Sequence, residues 1–141
     1  MEFIKNLFNP KKNQNSDSIK TYTMEDIKNL LSKDKLDASK LPTLLEMRNR
    51  KEISFILVDV REVGEYNSCR IDGVDHHIPT SSFYEKITTL ENKKNSTIIL
   101  QCHSGGRSLQ CQKIMQSMNY TKVINLSGGI SKFNGETISG K

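Results

Sequence analysis

The 141-residue sequence predicts an α/β fold: a mostly parallel sheet of about five strands with helices on both faces. Three observations carry that prediction. Phe55-Ile56-Leu57-Val58-Asp59-Val60 and Ser96-Thr97-Ile98-Ile99-Leu100-Gln101 are short, β-branched, nearly continuous apolar runs, the pattern of strands buried on both faces. Between Ser108 and Met118 the apolar residues Cys111, Ile114, Met115 and Met118 recur three and four apart, which is helical spacing, and Leu109 is read with them. Such strand and helix patterns alternate along the chain, and that order calls for parallel strands joined by helices.

Taken in order, residues 1–18 combine a small cluster, Phe3, Ile4, Leu7 and Phe8, with a polar tail and are read as a flexible leader. The domain is placed at 19–141, with Ile19 to Tyr22 as a short edge strand. Thr23-Met24-Glu25-Asp26 has a capping residue followed three positions later by a carboxylate, so a helix starts there and carries Ile27, Leu30 and Leu31 to about Lys33. Residues 36–52 hold Pro42 at a plausible first turn with Leu44, Leu45 and Met47 behind it, an additional short helix. The run ending at Val60 is a central strand whose acid, Asp59, arrives with Arg61 at the carboxyl edge of the sheet. A helix follows from Thr80 to Ile87, a polar turn from Asn92 to Asn95, and a last strand from Val123 to Leu126. Asn119 fits a left-handed helix terminus.

The strand ending at Gln101 runs straight into Cys102-His103-Ser104-Gly105-Gly106-Arg107, and the helical pattern starts immediately afterwards. This loop therefore opens a helix N-terminus, where unpaired N–H groups and the positive end of the macrodipole stabilise an anion. Cys102 is the natural anion. A free thiol with a pKa of about 8.5 is only roughly 3% ionised at pH 7, and a helix N-terminus with a nearby Arg lowers that pKa. Paired glycines let several N–H groups turn inward as a nest, and Arg107 closes the ring with a permanent charge and a fork of donors.

Several separated segments now resemble one family. Asp59-Val60-Arg61-Glu62 with Glu65-Tyr66, then Ile71-Asp72-Gly73-Val74 leading to Ile78-Pro79, the Cys102 loop, Ser108, Asn119-Tyr120, Val123 and Leu126-Ser127-Gly128-Gly129 together resemble a single-domain rhodanese, from about Phe55 to Phe133. The resemblance implies the rhodanese-like fold. It also implies a sulfurtransferase in which Cys102 takes the sulfane sulfur of thiosulfate or a similar donor, carries it as a persulfide, and passes it to a thiol or cyanide, or to a sulfur-accepting protein. Cys102 and Arg107 are then the catalytic residues. His103, Ser104, Gly105, Gly106 and Ser108 line the bound sulfur. Asp59 and Arg61 either brace the loop or its substrate by charge or form an ordinary strand-end salt bridge. Residues 36–52 stand as an insertion relative to the family pattern. Cys69-Arg70 replaces a common glycine and histidine, with Cys69 read as a small half-buried residue or a resolving thiol. Cys111 and Phe133 stand where alanine and tryptophan are usual.

Two rivals use the same loop. A persulfide carrier or sensor would hold the sulfur without turning it over. A cysteine phosphatase has one residue more between cysteine and arginine, whereas Cys102 and Arg107 are separated by four; the shorter cradle suits one sulfur better than several phosphate oxygens.

Composition removes other classes. The net charge of +5 is spread along the chain with no basic patch or aromatic platform, so no nucleic-acid partner is expected. Three cysteines at irregular spacing argue against a disulfide framework, and no run approaches a signal peptide or a membrane span, so a cytoplasmic location is expected. His76 and His77 are adjacent and would point to opposite faces of a strand, so no metal site and no cofactor are assigned.

Overall fold

The computed structural model describes residues 22–140. The leader and most of the expected first edge strand lie outside the described residues. The chain divides into two compact units between Leu30 and Leu31. The first contributes helix α1, Met24–Leu30, which opens on reciprocal bonds: the Asp26 N–H donates to Thr23 Oγ1 at 3.1 Å, and the Thr23 N–H to Asp26 Oδ2 at 3.0 Å.

The second unit is built on a five-stranded sheet. Its strands are β1 (Lys35–Asp37), β2 (Ile56–Asp59), β4 (His76–His77), β5 (Ile98–Gln101) and β6 (Val123–Ser127), in the order β1-β6-β5-β2-β4 and all parallel. The predicted α/β class with a mostly parallel sheet is the fold observed. Strand β5 lies at the centre, with all four residues buried, which is why its sequence shows no alternation. Val58, Val60, Ile98, Leu100, Cys102 and Val123 share one core with Phe83, Ile87 and Leu90 from the segment after β4 and with Cys111 and Met115. Leu57, Ile99 and Ile124 point to the opposite face by alternation and are equally buried, so both faces are covered.

Three elements differ from their sequence-based expectation. The segment read as a helical insertion, 36–52, begins inside β1, passes through a 3₁₀ turn (Ala38–Lys40), and only then forms helix α2 (Leu41–Asn49). Three residues with exposed Lys35 and Asp37 around buried Leu36 carry too little pattern to be recognised as an edge strand. The helix predicted from Thr80 becomes a 3₁₀ turn (Thr80–Ser82), helix α4 (Phe83–Lys86) and a kinked 3₁₀ run (Ile87–Lys93) that takes in part of the expected polar turn. Helix α5 is Gly106–Ser117, and its buried stripe is Ser108, Cys111, Gln112 and Met115; Leu109 is exposed. Buried Gln112 is satisfied by donating Nε2 to the carbonyls of Asp34 and Val123 at 2.7 and 2.9 Å. Past α5, Asn119 adopts φ +73, the left-handed conformation expected of it.

A second, two-stranded antiparallel sheet pairs β3 (Arg70–Ile71) with β7 (Thr137–Ile138). It holds helix α3 (Val63–Ser68), which buries no residue of its own. The Gly140 N–H donates to the Asn67 carbonyl at 2.7 Å, and Arg70 donates to the carbonyls of Tyr66 and Gly140. Arg70 also lies 4.6 Å over the Tyr66 ring, whose other partner is His77, stacked at 4.1 Å.

At the end of β2, Asp59 is 0% and Arg61 4% exposed, and the two form a bidentate pair, Nη2 to Oδ2 at 2.8 Å and Nε to Oδ1 at 3.1 Å. Arg61 Nη2 also donates to the Cys69 carbonyl at 2.6 Å, fixing the turn from α3 into β3. Cys69 itself is extended (φ −169), so a side chain is accommodated there as readily as glycine. Removing one partner of a buried pair strands the other charge. Arg61→Ala is therefore expected to lower stability by about 3–5 kcal/mol, measured by urea denaturation; a loss below about 1 kcal/mol would show that water replaces the guanidinium at no cost.

Candidate functional site: the Cys102 loop

Because the strands are parallel, β2, β5 and β6 all end at one edge, and the segment after each arrives at the same place. Cys102 follows β5 directly, and the 3₁₀ turn Gly129–Lys132 follows β6. That turn orients the loop. The Ile130 N–H donates to the Cys102 carbonyl and the Ser131 N–H to the His103 carbonyl, each at 3.0 Å. Gln101 Nε2 adds a second bond to the Cys102 carbonyl at 2.7 Å. In a trans peptide the N–H points opposite to the C=O. Drawing the two carbonyls toward the turn therefore aims the N–H groups of His103 and Ser104 the other way, into the loop.

Two glycines are forced by this arrangement. Gly129 has φ +56, and a Cβ there would lie 2.4 Å from the Cys102 carbonyl oxygen and 2.5 Å from that of His103. Gly105 has φ +111 and precedes the first residue of α5. Gly106 is exposed and has open space around it, so of the loop's paired glycines only Gly105 is required by backbone conformation.

The donors converge on sulfur. Cys102 Sγ accepts from the Gly105 N–H at 3.1 Å, the Ser108 N–H at 3.4 Å and the Ser108 hydroxyl at 3.3 Å. Burial pushes the Cys102 thiol up, but the Ser108 hydroxyl and the N–H groups of Ser108, Gly105 and Ser104 outweigh it, so the thiol ionises below its ordinary value. Cys111, one turn further along α5, has burial without such donors. Desolvation, reinforced by the charge of Cys102, pushes it up to about 11. The residue Cys102 is only 1% exposed, whereas His103, Ser104 and Gly106 above it are exposed, so the sulfur forms the floor of the loop.

Arg107 stands on the first turn of α5 and is held by Glu65 of α3, Nη1 to Oε1 at 2.7 Å and Nη2 to Oε2 at 2.9 Å. The bond from Arg107 is the main reason the Glu65 carboxyl drops to about 2. Glu65 also accepts from the Glu62 N–H at 3.0 Å, capping α3. The Glu62 carboxylate also accepts from the hydroxyls of Thr80 and Ser81 and from the Ser81 N–H, which hold it below the usual carboxylate range. Five N–H donors belong to a guanidinium, and this pair uses two. Arg107 is thus fixed in place with donors left for an anion.

Of the residues singled out in the sequence, the loop His103 to Arg107 and Ser108 are gathered around Cys102. Asp59 and Arg61 are not: their partners are each other and the Cys69 carbonyl, so they brace the fold behind the loop. His76 and His77 lie on the edge strand, and His77 Nε2 is 2.7 Å from the Arg61 carbonyl. Among the described residues no group of three or more His, Cys, Asp or Glu side chains is placed to hold a metal ion. Sequence reasoning missed two contributors. Glu65 lies 42 residues from Arg107 in the chain. Asn125 sits on β6 beside Leu100 of β5, on the face that carries Cys102, and meets both Ser108 Oγ and the Gly105 carbonyl. A polar residue inside the apolar run of β6 was the available signal.

Two outcomes are expected. Gly129→Ala displaces the carbonyls that orient the loop, and alkylation of Cys102 by iodoacetamide slows at least tenfold, or about 1.4 kcal/mol, while the protein stays folded by circular dichroism. In the wild type, alkylation of Cys102 rises with pH to a midpoint below that of an ordinary thiol, and Cys111 remains unmodified until well into the alkaline range. Equal midpoints for the two cysteines, read by peptide mass, would contradict the donor arrangement.

Comparison with known proteins agrees with this geometry. The family model for the rhodanese-like domain matches residues 40–136. The Bacillus subtilis (strain 168) protein named "Putative sulfur carrier protein YrkF" is 34% identical over 105 residues, covering 72% of this chain and 55% of its own length. The chain thus spans about half of that relative. Thiosulfate sulfurtransferase PspE of Escherichia coli (strain K12) is 34% identical over 71 residues, covering 50% of this chain and 67% of that protein. Among solved structures, the rhodanese-like domain of an Anabaena protein superposes with a TM-score of 0.64 at 21% identity, over 76% of this chain and 80% of the other. A rhodanese with anions from E. coli gives 0.55 at 29% identity, over 62% of this chain and all of the other. With a family match that takes in strands β2, β4, β5 and β6, the Cys102 loop and the Gly128-Gly129 turn that orients it, the chain belongs to the rhodanese-like domain family.

Proposed function

We propose that this chain is a sulfurtransferase that moves a sulfane sulfur from thiosulfate or a similar donor to a thiol or cyanide acceptor, by way of a persulfide on Cys102. The observation that carries this reading is the convergence of the Gly105 and Ser108 N–H groups and the Ser108 hydroxyl on one sulfur, at a helix N-terminus. Membership of the rhodanese-like family and the sulfur-handling names of both relatives support it.

In the first half-reaction the Cys102 thiolate attacks the outer sulfur of the donor. A bond forms between Sγ and that sulfur as the donor's S–S bond breaks, and the electron pair leaves with sulfite when the donor is thiosulfate. The remaining donors of Arg107 hold the anionic donor and its leaving group. In the second half-reaction an acceptor nucleophile takes the outer sulfur and the electron pair of the Sγ–S bond returns to Cys102. Inward N–H groups of the loop stabilise the negative charge that the outer sulfur carries between the two steps. His103 and Ser104, exposed at the rim, meet the incoming molecule.

A second reading is favoured by the relative named as a sulfur carrier: Cys102 loads as a persulfide and releases it only to a protein partner. Four residues between Cys102 and Arg107 leave a cradle that suits one sulfur better than the several oxygens of a phosphate, and no turnover of an aryl phosphate is expected. A cytoplasmic location with a small donor and acceptor, and with no nucleic-acid partner, belongs to the same proposal. No helix among the described residues is long and apolar enough to cross a membrane.

Intact-mass analysis after thiosulfate treatment tests the proposal. Wild type is expected to gain one sulfur and Cys102→Ser none; an equal gain by the variant would move the chemistry to Cys69 or Cys111. Adding cyanide to the loaded protein is expected to remove the sulfur within the assay, whereas retention until a protein acceptor is supplied would identify a carrier.

A further inference from the structure

The Ser108 hydroxyl carries one proton and stands between two acceptors. Its Oγ is 3.3 Å from Cys102 Sγ and in close hydrogen-bond contact with Asn125 Oδ1. Ser108 is 0% and Asn125 7% exposed, so water has little access to either group. The Asn125 amide is locked in one orientation, because Nδ2 donates to the Gly105 carbonyl at 3.2 Å and turning it over would set two acceptors face to face. Oδ1 therefore faces Ser108 whatever the state of the sulfur.

We propose that Asn125 is a positioning residue for Cys102: its Oδ1 competes with the ionised sulfur for the single Ser108 proton, and so favours the thiol and the sulfur-loaded forms over the bare thiolate. In the thiol form the Cys102 S–H donates to Ser108 Oγ and the hydroxyl donates to Asn125, so each proton has an acceptor. When the thiol proton leaves for solvent, the hydroxyl turns to Sγ and Oδ1 loses its donor, a cost in a buried site. Loading relieves that cost. As the Sγ–S bond forms and the donor's S–S bond breaks, the negative charge passes to the outer sulfur, Sγ becomes neutral, and the hydroxyl returns to Asn125. This last step rests on the sulfur-transfer reading above; the competition for the proton does not.

The other titratable groups around Cys102 are Arg107 and Cys111 on α5, with Glu65 and Glu62 of the α3 region behind Arg107. His103 belongs to the loop itself, and the Asp59–Arg61 pair lies at the end of β2. All are common to the proteins compared in the test, so their contributions cancel.

The test is the pH dependence of Cys102 alkylation by iodoacetamide, followed by peptide mass in wild type, Asn125→Leu, Ser108→Ala and the double variant. Asn125→Leu is expected to lower the midpoint by about one pH unit, the effect of releasing one contested hydrogen bond to the sulfur. In the Ser108→Ala background the same substitution is expected to leave the midpoint where it was. An unmoved or raised midpoint in Asn125→Leu, or an equal fall with and without Ser108, overturns the proposal. Should Asn125→Leu fail to fold, Asn125→Ala is read in the same way, since both lose the bond to Gly105. These midpoints need no sulfur donor. A wild type that never loads sulfur would sink the transfer reading and leave them standing, and the converse also holds.

Discussion

Two backbone hydrogen bonds decide what this loop can do: Ile130 N–H to the Cys102 carbonyl and Ser131 N–H to the His103 carbonyl. They invert the polarity of the surface presented to the sulfur, because each carbonyl drawn outward turns the next N–H inward. Without them the loop would turn fewer donors inward, and the burial that makes Cys111 a poor nucleophile would be opposed at Cys102 by Gly105 and Ser108 alone. The two bonds in turn require Gly129, since any Cβ there would occupy the position of the carbonyl oxygens. One glycine on β6's far side thus governs the reactivity of a cysteine at the end of β5.

The sheet supplies the accuracy this needs. Strands β5 and β6 are in parallel register, Ile98 with Val123 through Leu100 with Asn125, so the turn after one is held at a fixed distance from the loop after the other. Neither segment has to find its partner by its own stiffness. The same register puts Asn125 on the face of Cys102 and α5, where a buried amide can satisfy Ser108 and Gly105 together. Ser108 and Asn125, the buried polar side chains next to the sulfur, are paired with one another.

What the sequence revealed was local. The buried strands, the loop with its cysteine at a helix N-terminus and the left-handed Asn119 each follow from residues within one short window. Features that needed a distant partner were illegible. Glu65 is an ordinary glutamate on a helix with no buried residue, and nothing local tells that Arg107 will reach it. Asp59 and Arg61, two positions apart at a strand end, looked equally suited to the loop or to each other; folding buried both and gave the spare guanidinium donor to Cys69. Leu109 faces solvent because it stands two residues from Cys111, about 200° around the helix, and so lies off the stripe that Ser108, Cys111 and Met115 share.

The Arg107–Glu65 pair bears on how molecules arrive. A lone guanidinium beside the sulfur would act as a point charge felt across a Debye length of roughly 10 Å at 0.1 M salt. Locked against a carboxylate on both of its terminal nitrogens, it presents a dipole whose field dies away much faster. Diffusional capture of a charged molecule at this doorway should therefore depend only weakly on ionic strength, and discrimination falls to the final contact inside the loop instead of to attraction from afar.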